Sequence, residues 1–495
     1  MSKPILKFRE FFSGTSLSSR ILKSISQILS ANIFATGAQF ISSYFAAIIL
    51  GPSAFGTLQV SKLSIQYSEL STLSLPFLLR RDLPQLRAEG KTEEAHNLSS
   101  AIFSYILFSY SICSIAVFLI SFLVKDRLLA YSLLVYCLII LVHPLVSFGN
   151  IISKGLNEYS FLSKITVLHG ILTICLIPFI YYFKISGVLW GLLGIDVVLG
   201  YLYYSKIEYG YKWNWNTRLL KEKFFVALPL FLADAAAYVF NSVDRLLIAS
   251  FLSLKEVGYY SISSIVIAPI YIVTSTVSVV LFTHLNEKYG SDTSPAVVRK
   301  HFEVPLHIVS TIFPILIGLG LLILPDVIRL ALPKYIPGIV SAQILLVGVY
   351  FQTTSSFTAN AIFLLNQQKK TALSFALSGI FISIMGYIAI LMGFGIKGVA
   401  LSSTLGYMIY NFTLLMVCLR QLGERIPSII KKFICSNTFL CLAIIYAGAI
   451  DYLKLSIGSY YSLPISVSAS VVLVLFGFII LKRSTVLRQI FTILR

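Results

Sequence analysis

A series of long apolar runs, separated by short polar turns, constrains this chain more than any other feature. We place fourteen runs, each about as long as the 20 residues that a transmembrane helix needs. Their approximate bounds are 23–50, 56–81, 98–124, 128–152, 161–183, 186–205, 224–251, 256–285, 303–324, 338–365, 371–393, 397–419, 430–451 and 461–481. Only 12% of the residues are charged, whereas ordinary soluble domains contain about 25%. Because hydrocarbon offers no partners to backbone polar groups, such runs span as helices, and the sequence predicts an all-α polytopic membrane protein.

The basic residues predict the topology. The chain carries 39 Lys and Arg against 20 Asp and Glu, which gives a net charge of +19. With an even number of spans both termini share one side, and most of the basic residues fall in turns on that side. Because Lys and Arg are enriched in cytoplasmic turns, we predict that both termini are cytoplasmic. Topology and contact with the lipid bilayer therefore explain the basicity, and we predict no nucleic-acid partner.

The sequence gives no sign of a targeting segment, a metal site or a redox site. The first apolar run continues beyond the length of a signal-peptide core, so we expect it to be a retained span. The six cysteines lie scattered in apolar runs, without the spacing of a metal site or a redox pair. We therefore predict no disulfide, no metal and no cofactor.

The two halves of the chain repeat each other. Residues 49–60 (ILGPSAFGTLQV) resemble residues 251–262 (FLSLKEVGYYSI), which places Gly56 over Gly258. Two further matches follow in the same order, Gly170 with Gly379 and residues 184–188 with 395–399. Spans 1–6 thus repeat as spans 7–12 in the same orientation, which is the parallel-repeat arrangement of several transporters.

The repeat predicts the domain organisation. We expect two six-helix lobes around a central cavity, followed by two extra C-terminal helices that lie outside the repeat. The predicted bounds are 1–208 for the N-lobe, 209–223 for a cytoplasmic linker, 224–422 for the C-lobe and 423–495 for the last two spans with a cytoplasmic tail.

Polar side chains interrupt three of the apolar spans at helical spacing, so each set lies on one face of its helix. Span 2 carries Gln59, Lys62, Gln66 and Glu69. Span 1 carries Asn32, Thr36, Gln39 and Ser43, and span 7 carries Asp234, Tyr238, Asn241 and Arg245. The register that pairs Gly56 with Gly258 places the sets of spans 1 and 7 at equivalent positions.

These polar stripes need protein or water around them. A charged side chain at the bilayer centre costs about 2.5–3.5 kcal/mol on insertion scales. One interpretation is that the charges form internal pairs that hold helices together. The other is that they line a hydrated central cavity. Four polar positions on one face of each of three spans favour the cavity.

Other ionisable residues leave two interpretations open. His143, His169 and Asp196 lie in apolar spans, where an interhelical hydrogen bond explains them as well as a functional role does. Arg80 and Arg81 lie at the inner end of span 2. They either anchor the helix at the membrane surface or bind a phosphate group at the cytoplasmic mouth, for which the arginine fork is suited.

Several stretches resemble the polysaccharide-biosynthesis flippases of the Wzx type, within the multidrug/oligosaccharidyl-lipid/polysaccharide exporter superfamily. They are "LGPSAFGTLQV", "LPFLLRRDLPQLR", "NSVDRLLIASFLSLKEVGYYS" and "LPDVIRLALPKYIPG". The similarity covers about residues 20–425. It implies a multi-pass protein of the bacterial cytoplasmic (inner) membrane. Its expected activity is to move an undecaprenyl-diphosphate-linked oligosaccharide repeat unit, of O-antigen or capsule type, from the inner to the outer leaflet by alternating access. A polysaccharide polymerase and a chain-length regulator are the implied protein partners.

The resemblance suggests a role for each group of polar residues. Arg80 and Arg81 would attract the diphosphate, and Lys62 and Arg245 would receive it deeper in the membrane. Glu69 or Asp234, which also line the cavity, would couple transport to H⁺ or Na⁺, because the pKa of a carboxyl rises in a partly dry site. The glycan path would be lined by Asn32, Gln39, Gln59, Gln66 and Asn241, whose amides suit sugar hydroxyls.

Two other functions remain open at this stage. One is an ion-coupled multidrug or cation antiporter of the same fold, which would need a compact, acid-rich pocket. The other is a membrane-embedded polysaccharide polymerase or ligase, which would need a catalytic cluster on a substantial outer loop. Because the longest predicted outer loop, near 325–337, is short, we predict that the protein is not an enzyme.

Overall fold

The computed structural model describes residues 17–207, 209–265, 267, 295–365, 367–457 and 462–483. Within these ranges all regular secondary structure is helical, which confirms the predicted fold class. A 3₁₀ helix, Pro333–Gly338, precedes α9. The thirteen helices in this described part of the chain are α1 (Leu17–Leu70), α2 (Leu75–Ala88), α3 (Thr92–Leu123), α4 (Arg127–Gly155), α5 (Tyr159–Lys206), α6 (Thr217–Phe251), α7 (254–265), α8 (Pro295–Ala331), α9 (Ile339–Leu364), α10 (Gln368–Leu391), α11 (Gly395–Gln421), α12 (Ile426–Ile457) and α13 (Ser462–Arg483).

Two helices each contain more than one predicted span. The backbone of α1 leaves helical geometry at Gly51 (φ 73°, ψ 174°), and that of α5 does so at Lys184 (φ 54°, ψ −131°). A positive φ is readily adopted by glycine. Ten helices in the described ranges are long and apolar enough to cross a membrane. Most of predicted span 8 lies outside the described residues.

Predicted span 2, 56–81, is interrupted in the structure. Helix α1 ends at Leu70, and Leu73 and Ser74 both have a left-handed backbone, with φ of 54° and 56°. The hydroxyl of Tyr105 donates a hydrogen bond to the Ser71 carbonyl at 3.1 Å, which satisfies one of the carbonyls freed by the break. Pro76 lies in the first turn of α2, where proline fits a helix best, and it restricts the residue before it, which favours a break at this point.

Backbone contacts divide the chain into two compact units. Unit 1 comprises the described residues up to Leu50 together with Ser61–Phe231. Within it, α2, α3 and α5 pack on α4, and α1 packs on α5 where a Cβ at Gly170 would lie 3.1 Å from the Cα of Ala35. The predicted lobe boundaries stay a prediction.

Unit 2 comprises Gly51–Val60 and the described residues from Leu232 onward. Within it, α9 and α10 pack on α11, while α12 and α13 both pack on α8. A buried lysine ties these last helices together. The Nζ of Lys454 lies 3.1 Å from Asp451 Oδ1 and 3.5 Å from Asp326 Oδ2, and it donates a hydrogen bond to the Leu322 carbonyl. Ser466 of α13 also donates a hydrogen bond to Asp326.

The glycine pair that defines the repeat forms one reciprocal contact within unit 2. A Cβ added to Gly56 would lie 1.8 Å from the carbonyl oxygen of Leu254, and one added to Gly258 would lie 1.9 Å from that of Pro52. The register that pairs Gly56 with Gly258 also pairs Pro52 with Leu254, so the two contacts are equivalent. A local twofold axis between the two segments produces such a reciprocal contact.

We expect Gly56→Ala to destabilise the protein because the added methyl group would collide with a backbone carbonyl. Overpacking typically costs about 1–3 kcal/mol. Here the colliding group is backbone, so no flexible side chain can move aside to relieve the clash. Thermal unfolding of the detergent-purified variant measures the loss. The matched control is Gly448→Ala, since Gly448 faces open space within α12 and alanine favours a helix. Equal unfolding temperatures for the two variants would contradict this interpretation of the glycine pair.

Candidate functional site

The stripe predicted on span 2 lies on the part of α1 that follows Gly51. Lys62 lies within an apolar stretch of the chain, and its side chain is exposed. Gln59, Gln66 and Glu69 are partly buried. Lys62, Gln66 and Glu69 belong to unit 1, and Gln59 belongs to unit 2. Within unit 1 the stripe thus presents a cation, an amide and a carboxylate along one helix face.

Glu69 belongs to a cluster of ionisable residues contributed by three helices of unit 1. His143 of α4 lies between two carboxylates, with its Nδ1 2.9 Å from Asp196 Oδ2 and its Nε2 3.9 Å from Glu69 Oε1. The phenol ring of Tyr110 in α3 stacks on the imidazole at a centroid distance of 6.2 Å. The exposed fractions of the side chains are 41% for Glu69, 20% for His143 and 16% for Asp196. The cluster is therefore partly buried but accessible.

The interhelical hydrogen bond between His143 and Asp196 matches one of the two sequence-based interpretations of these residues. Sequence analysis did not predict that Glu69 of the stripe joins them. The contact could have been predicted from the rule that ionisable groups in separate apolar spans need partners of opposite charge. An imidazole between two carboxylates can take up and release a proton, and that is the chemistry this arrangement offers.

The stripe of span 1 lies on the first part of α1. Asn32 and Gln39 are exposed, and Thr36 and Ser43 are partly buried. The Thr36 hydroxyl donates a hydrogen bond to the Asn32 carbonyl at 2.7 Å, so the helix itself satisfies this side chain. The two amides are the groups of this stripe that can bind a polar ligand.

The structure places the two arginines of the predicted cytoplasmic mouth in different surroundings. Arg81 Nε donates a hydrogen bond to Asp82 Oδ1 at 2.6 Å, and Lys223 of α6 bonds the other carboxylate oxygen at 2.9 Å. Burial would raise the pKa of Asp82, but the hydrogen bonds from Arg81 and Lys223 outweigh it and hold this pKa below its ordinary value. Arg80 is exposed, with its guanidinium 5.3 Å from the centre of the Phe77 ring. Arg80 is therefore better suited to bind an anion than Arg81.

The stripe of span 7 lies on α6 in unit 2. Asp234 and Arg245 are partly buried, and Asn241 is exposed. Gln352 of α9 donates a hydrogen bond to Asn241 Oδ1 at 3.1 Å, which adds a residue that sequence analysis missed. The Nη2 of Arg245 lies 3.5 Å from Ser264 Oγ, while its Nε is buried without a hydrogen-bond partner among the described residues. Arg245 thus has unused capacity to donate hydrogen bonds.

A buried polar group lies beside this stripe. The Tyr260 hydroxyl lies 2.6 Å from Asp244 Oδ2, to which it donates, and 3.3 Å from Ser403 Oγ. The other carboxylate oxygen of Asp244 accepts the backbone N–H of Arg245 at 2.7 Å. Asp244 is only 4% exposed. This arrangement ties α6 to α7 and α11, and it explains Asp244 by interactions internal to the unit.

The predicted site residues therefore form separate groups within each unit. Glu69 joins His143 and Asp196, and Asn241 joins Gln352. Exposed cations are present at Lys62 and Arg80, and exposed amides are present at Asn32, Gln39 and Asn241. In the described part of the chain, no group of three His, Cys, Asp or Glu side chains has the geometry of a metal site.

Comparisons with known proteins agree with this architecture. A family model described as "Polysaccharide biosynthesis protein" matches residues 85–334. The structure of the lipid II flippase MurJ in an inward closed conformation has a TM-score of 0.64 at 16% identity, covering 91% of this chain and 99% of that chain. An inward-facing multidrug resistance MATE family transporter of the MOP superfamily gives 0.60 at 15% identity, covering 85% and 97%.

A MOP superfamily transporter from Pyrococcus furiosus has a TM-score of 0.56 at 15% identity, covering 81% of this chain and 96% of that chain. No curated protein matches the sequence. At these identities the structural likeness shows a shared fold, and it assigns no substrate.

We expect Asp82→Asn to loosen α2, because Arg81 and Lys223 would lose their carboxylate. Hydrogen bonds to charged groups contribute on the order of 1.5–3 kcal/mol. A folded pKa below the unfolded value of about 3.9 means that the stabilisation is present above about pH 4 and is lost as the pH falls through the folded pKa. Hydrogen exchange of residues 75–88 should therefore be faster in the variant at pH 7, and this difference should shrink as the pH falls below about 4.

The control for this experiment is Glu89→Gln at the end of the same helix. Glu89 pairs with Lys91 in solvent, and exposed pairs contribute little. Equal exchange in Asp82→Asn and wild type at pH 7 would show that the pair does not stabilise α2.

Proposed function

The chain belongs to the polysaccharide biosynthesis protein family, and on this premise we propose that it is a flippase for a lipid-linked oligosaccharide. Its substrate would be an undecaprenyl-diphosphate-linked repeat unit of O-antigen or capsule type. The protein would carry this unit from the inner to the outer leaflet of the bacterial cytoplasmic membrane by alternating access, without acting as an enzyme. Both termini would lie in the cytoplasm.

The observation that carries this proposal is the exposed Lys62 within an apolar transmembrane helix. Because a lysine facing hydrocarbon would be costly, the exposed side chain of Lys62 would face a hydrated surface at membrane depth. Exposed amides are present on the other stripes, at Asn32 and Gln39 in unit 1 and at Asn241 in unit 2. A glycan needs such a surface, because each sugar hydroxyl that leaves water must find a donor or an acceptor.

The diphosphate would contact several cationic side chains one after another. The structure favours Arg80 over Arg81 for the first contact, since the carboxylate of Asp82 already compensates Arg81. Lys62 and Arg245 would bind the diphosphate at membrane depth. The unused Nε of Arg245 supports this role, because a guanidinium with free donors matches phosphate oxygens.

Proton coupling would reside in the group formed by Glu69, His143 and Asp196. Protonation of this group changes the attraction among α1, α4 and α5, which contribute one residue each. The other ionisable groups that face His143 or Asp196 are the phenols of Tyr110 and Tyr136 and the imidazole of His169. Asp234 is the alternative coupling residue, and Na⁺ is the alternative ion.

A polysaccharide polymerase and a chain-length regulator are the partners we propose downstream. A repeat unit delivered to the outer leaflet still needs to be joined to others, and the substrate must be passed on for the flippase to turn over. This part of the proposal rests on the family alone.

The direct test is translocation of a lipid-diphosphate oligosaccharide by the purified protein in proteoliposomes. We expect Lys62→Ala and Arg245→Ala to reduce the rate at least tenfold, which corresponds to about 1.4 kcal/mol of lost binding to the diphosphate. Arg80→Ala should reduce the rate more than Arg81→Ala. Lys221→Ala, an exposed lysine near the start of α6, is the control for loss of a basic charge.

Wild-type rates in both Lys62→Ala and Arg245→Ala would exclude a diphosphate role for these residues. Ion-driven efflux of cationic dyes without glycan translocation would instead identify a drug antiporter.

The coupling hypothesis has a separate test, in which a proton gradient is imposed on the same proteoliposomes. His143→Gln should remove the acceleration by the gradient, because the glutamine cannot carry a proton between the two carboxylates. Translocation down a substrate gradient should persist. His307→Gln provides the control, since His307 is an exposed histidine of α8. If His143→Gln still responds to the gradient, the coupling residue lies elsewhere, and Asp234 is the next to be replaced.

A further inference from the structure

An apolar groove lies in unit 1 between the two arms of α5 that meet at Lys184. It has a volume of about 540 Å³. Phe179 and Phe183 of the first arm and Trp190 and Val198 of the second line it, and all four are exposed. Because this part of α5 spans the membrane, lipid is the medium that faces the groove.

The groove extends through about one leaflet. Its lining on the first arm runs from Leu172 to Phe183, a rise of about 16 Å at 1.5 Å per residue. Half of a hydrocarbon core of about 30 Å has the same depth. A single acyl chain of one leaflet therefore matches the groove in length and in polarity.

Polar groups lie at one end of the groove. The indole Nε1 of Trp190 donates a hydrogen bond to the Tyr131 hydroxyl at 3.0 Å, and that hydroxyl lies 3.3 Å from Ser186 Oγ. Trp and Tyr collect at the level of lipid headgroups, where one end of the ring is wet. On the predicted topology this end faces the outer leaflet.

A basic residue accompanies these polar groups. Lys184 lies between the lining residues Phe183 and Ser186 and is exposed, with its Nζ 5.8 Å from the centre of the Tyr181 ring. A lysine at this depth attracts the phosphate of an anionic headgroup. The apolar groove and the cation at its mouth thus match the two parts of one molecule.

We propose that this groove binds an anionic phospholipid of the outer leaflet, with one acyl chain between the arms of α5 and the phosphate at Lys184. A resident phospholipid fits better than the lipid of the transported substrate, because a site confined to one leaflet cannot accompany a chain that changes leaflet. The inference does not depend on the proposed transport activity.

The chain offers a matched pair of variants for the test. Gly194 lines the groove, and a Cβ at this position would meet no atom within 4 Å, so Gly194→Leu fills the groove without disturbing helix packing. Gly448 of α12 faces equally open space, which makes Gly448→Leu the control. Both substitutions introduce a better helix former than glycine.

The experiment is native mass spectrometry of the full chain in mild detergent, with equal amounts of phosphatidylglycerol and phosphatidylcholine added. We expect wild type and Gly448→Leu to retain one phosphatidylglycerol and Gly194→Leu to lose it. Lys184→Gln should lower the preference for phosphatidylglycerol by about fivefold. The proposal is overturned if wild type retains no phospholipid, if Gly194→Leu retains it, or if both leucine variants lose it.

A second measurement uses the natural cysteines and needs no variant. Cys175 lines the groove and is exposed, as are Cys435 and Cys441 of α12. Added phosphatidylglycerol should slow alkylation of Cys175 by N-ethylmaleimide and leave the other two unchanged. Equal protection of all three cysteines, or of none, would also overturn the proposal.

Discussion

The cost of placing a polar group in hydrocarbon governs the interior of this protein. Serine and threonine hydroxyls avoid this cost by hydrogen bonding within their own helix. Ser99 and Ser104, for example, donate hydrogen bonds to carbonyls four residues earlier in α3. Charged groups buried in unit 2 reduce this cost by forming ion pairs, as Lys454 does with Asp326. Both solutions explain polar residues without reference to a ligand. Lys62 differs from these groups in its exposure, because its side chain is exposed on an apolar helix.

The internal repeat extends to details of the backbone. Gly51 interrupts α1 at the position equivalent to Ser253, where α6 gives way to α7. Lys184 interrupts α5 with a φ of 54°, and the equivalent Gly395 before α11 has the same φ. In the first half the fifth and sixth spans therefore meet at one residue within a continuous helix, whereas in the second half a short turn, residues 392–394, separates α10 from α11, which begins at Gly395. A lysine in this conformation is less favourable than a glycine. The property that the lysine adds at the mouth of the apolar groove is its charge.

Sequence alone could predict the parts of this structure that depend on composition and local spacing. Apolar runs predict spans, and glycines in matching order predict that Gly56 and Gly258 are equivalent positions, although their reciprocal contact is seen only in the structure. The break at residues 71–74 was not predicted, because the apolar pattern continues through it and Pro76 alone signals a helix start. The link from Glu69 to His143 and Asp196 needs the packing of three helices, which no local pattern contains. The compensation of Arg81 by its neighbour Asp82, by contrast, was readable from the chain.

Accessibility separates two of the ionic clusters among the described residues. Lys454 and Asp326 are 7% and 3% exposed, so water cannot readily reach them and each side chain is the other's partner. Removing one partner of such a pair leaves an uncompensated charge, which identifies the cluster as structural. The side chains of Glu69, His143 and Asp196 retain between 16% and 41% exposure, so this cluster is not sealed from its surroundings. This accessible cluster, which links three helices, therefore fits the proposed coupling role, whereas a sealed pair only holds helices together.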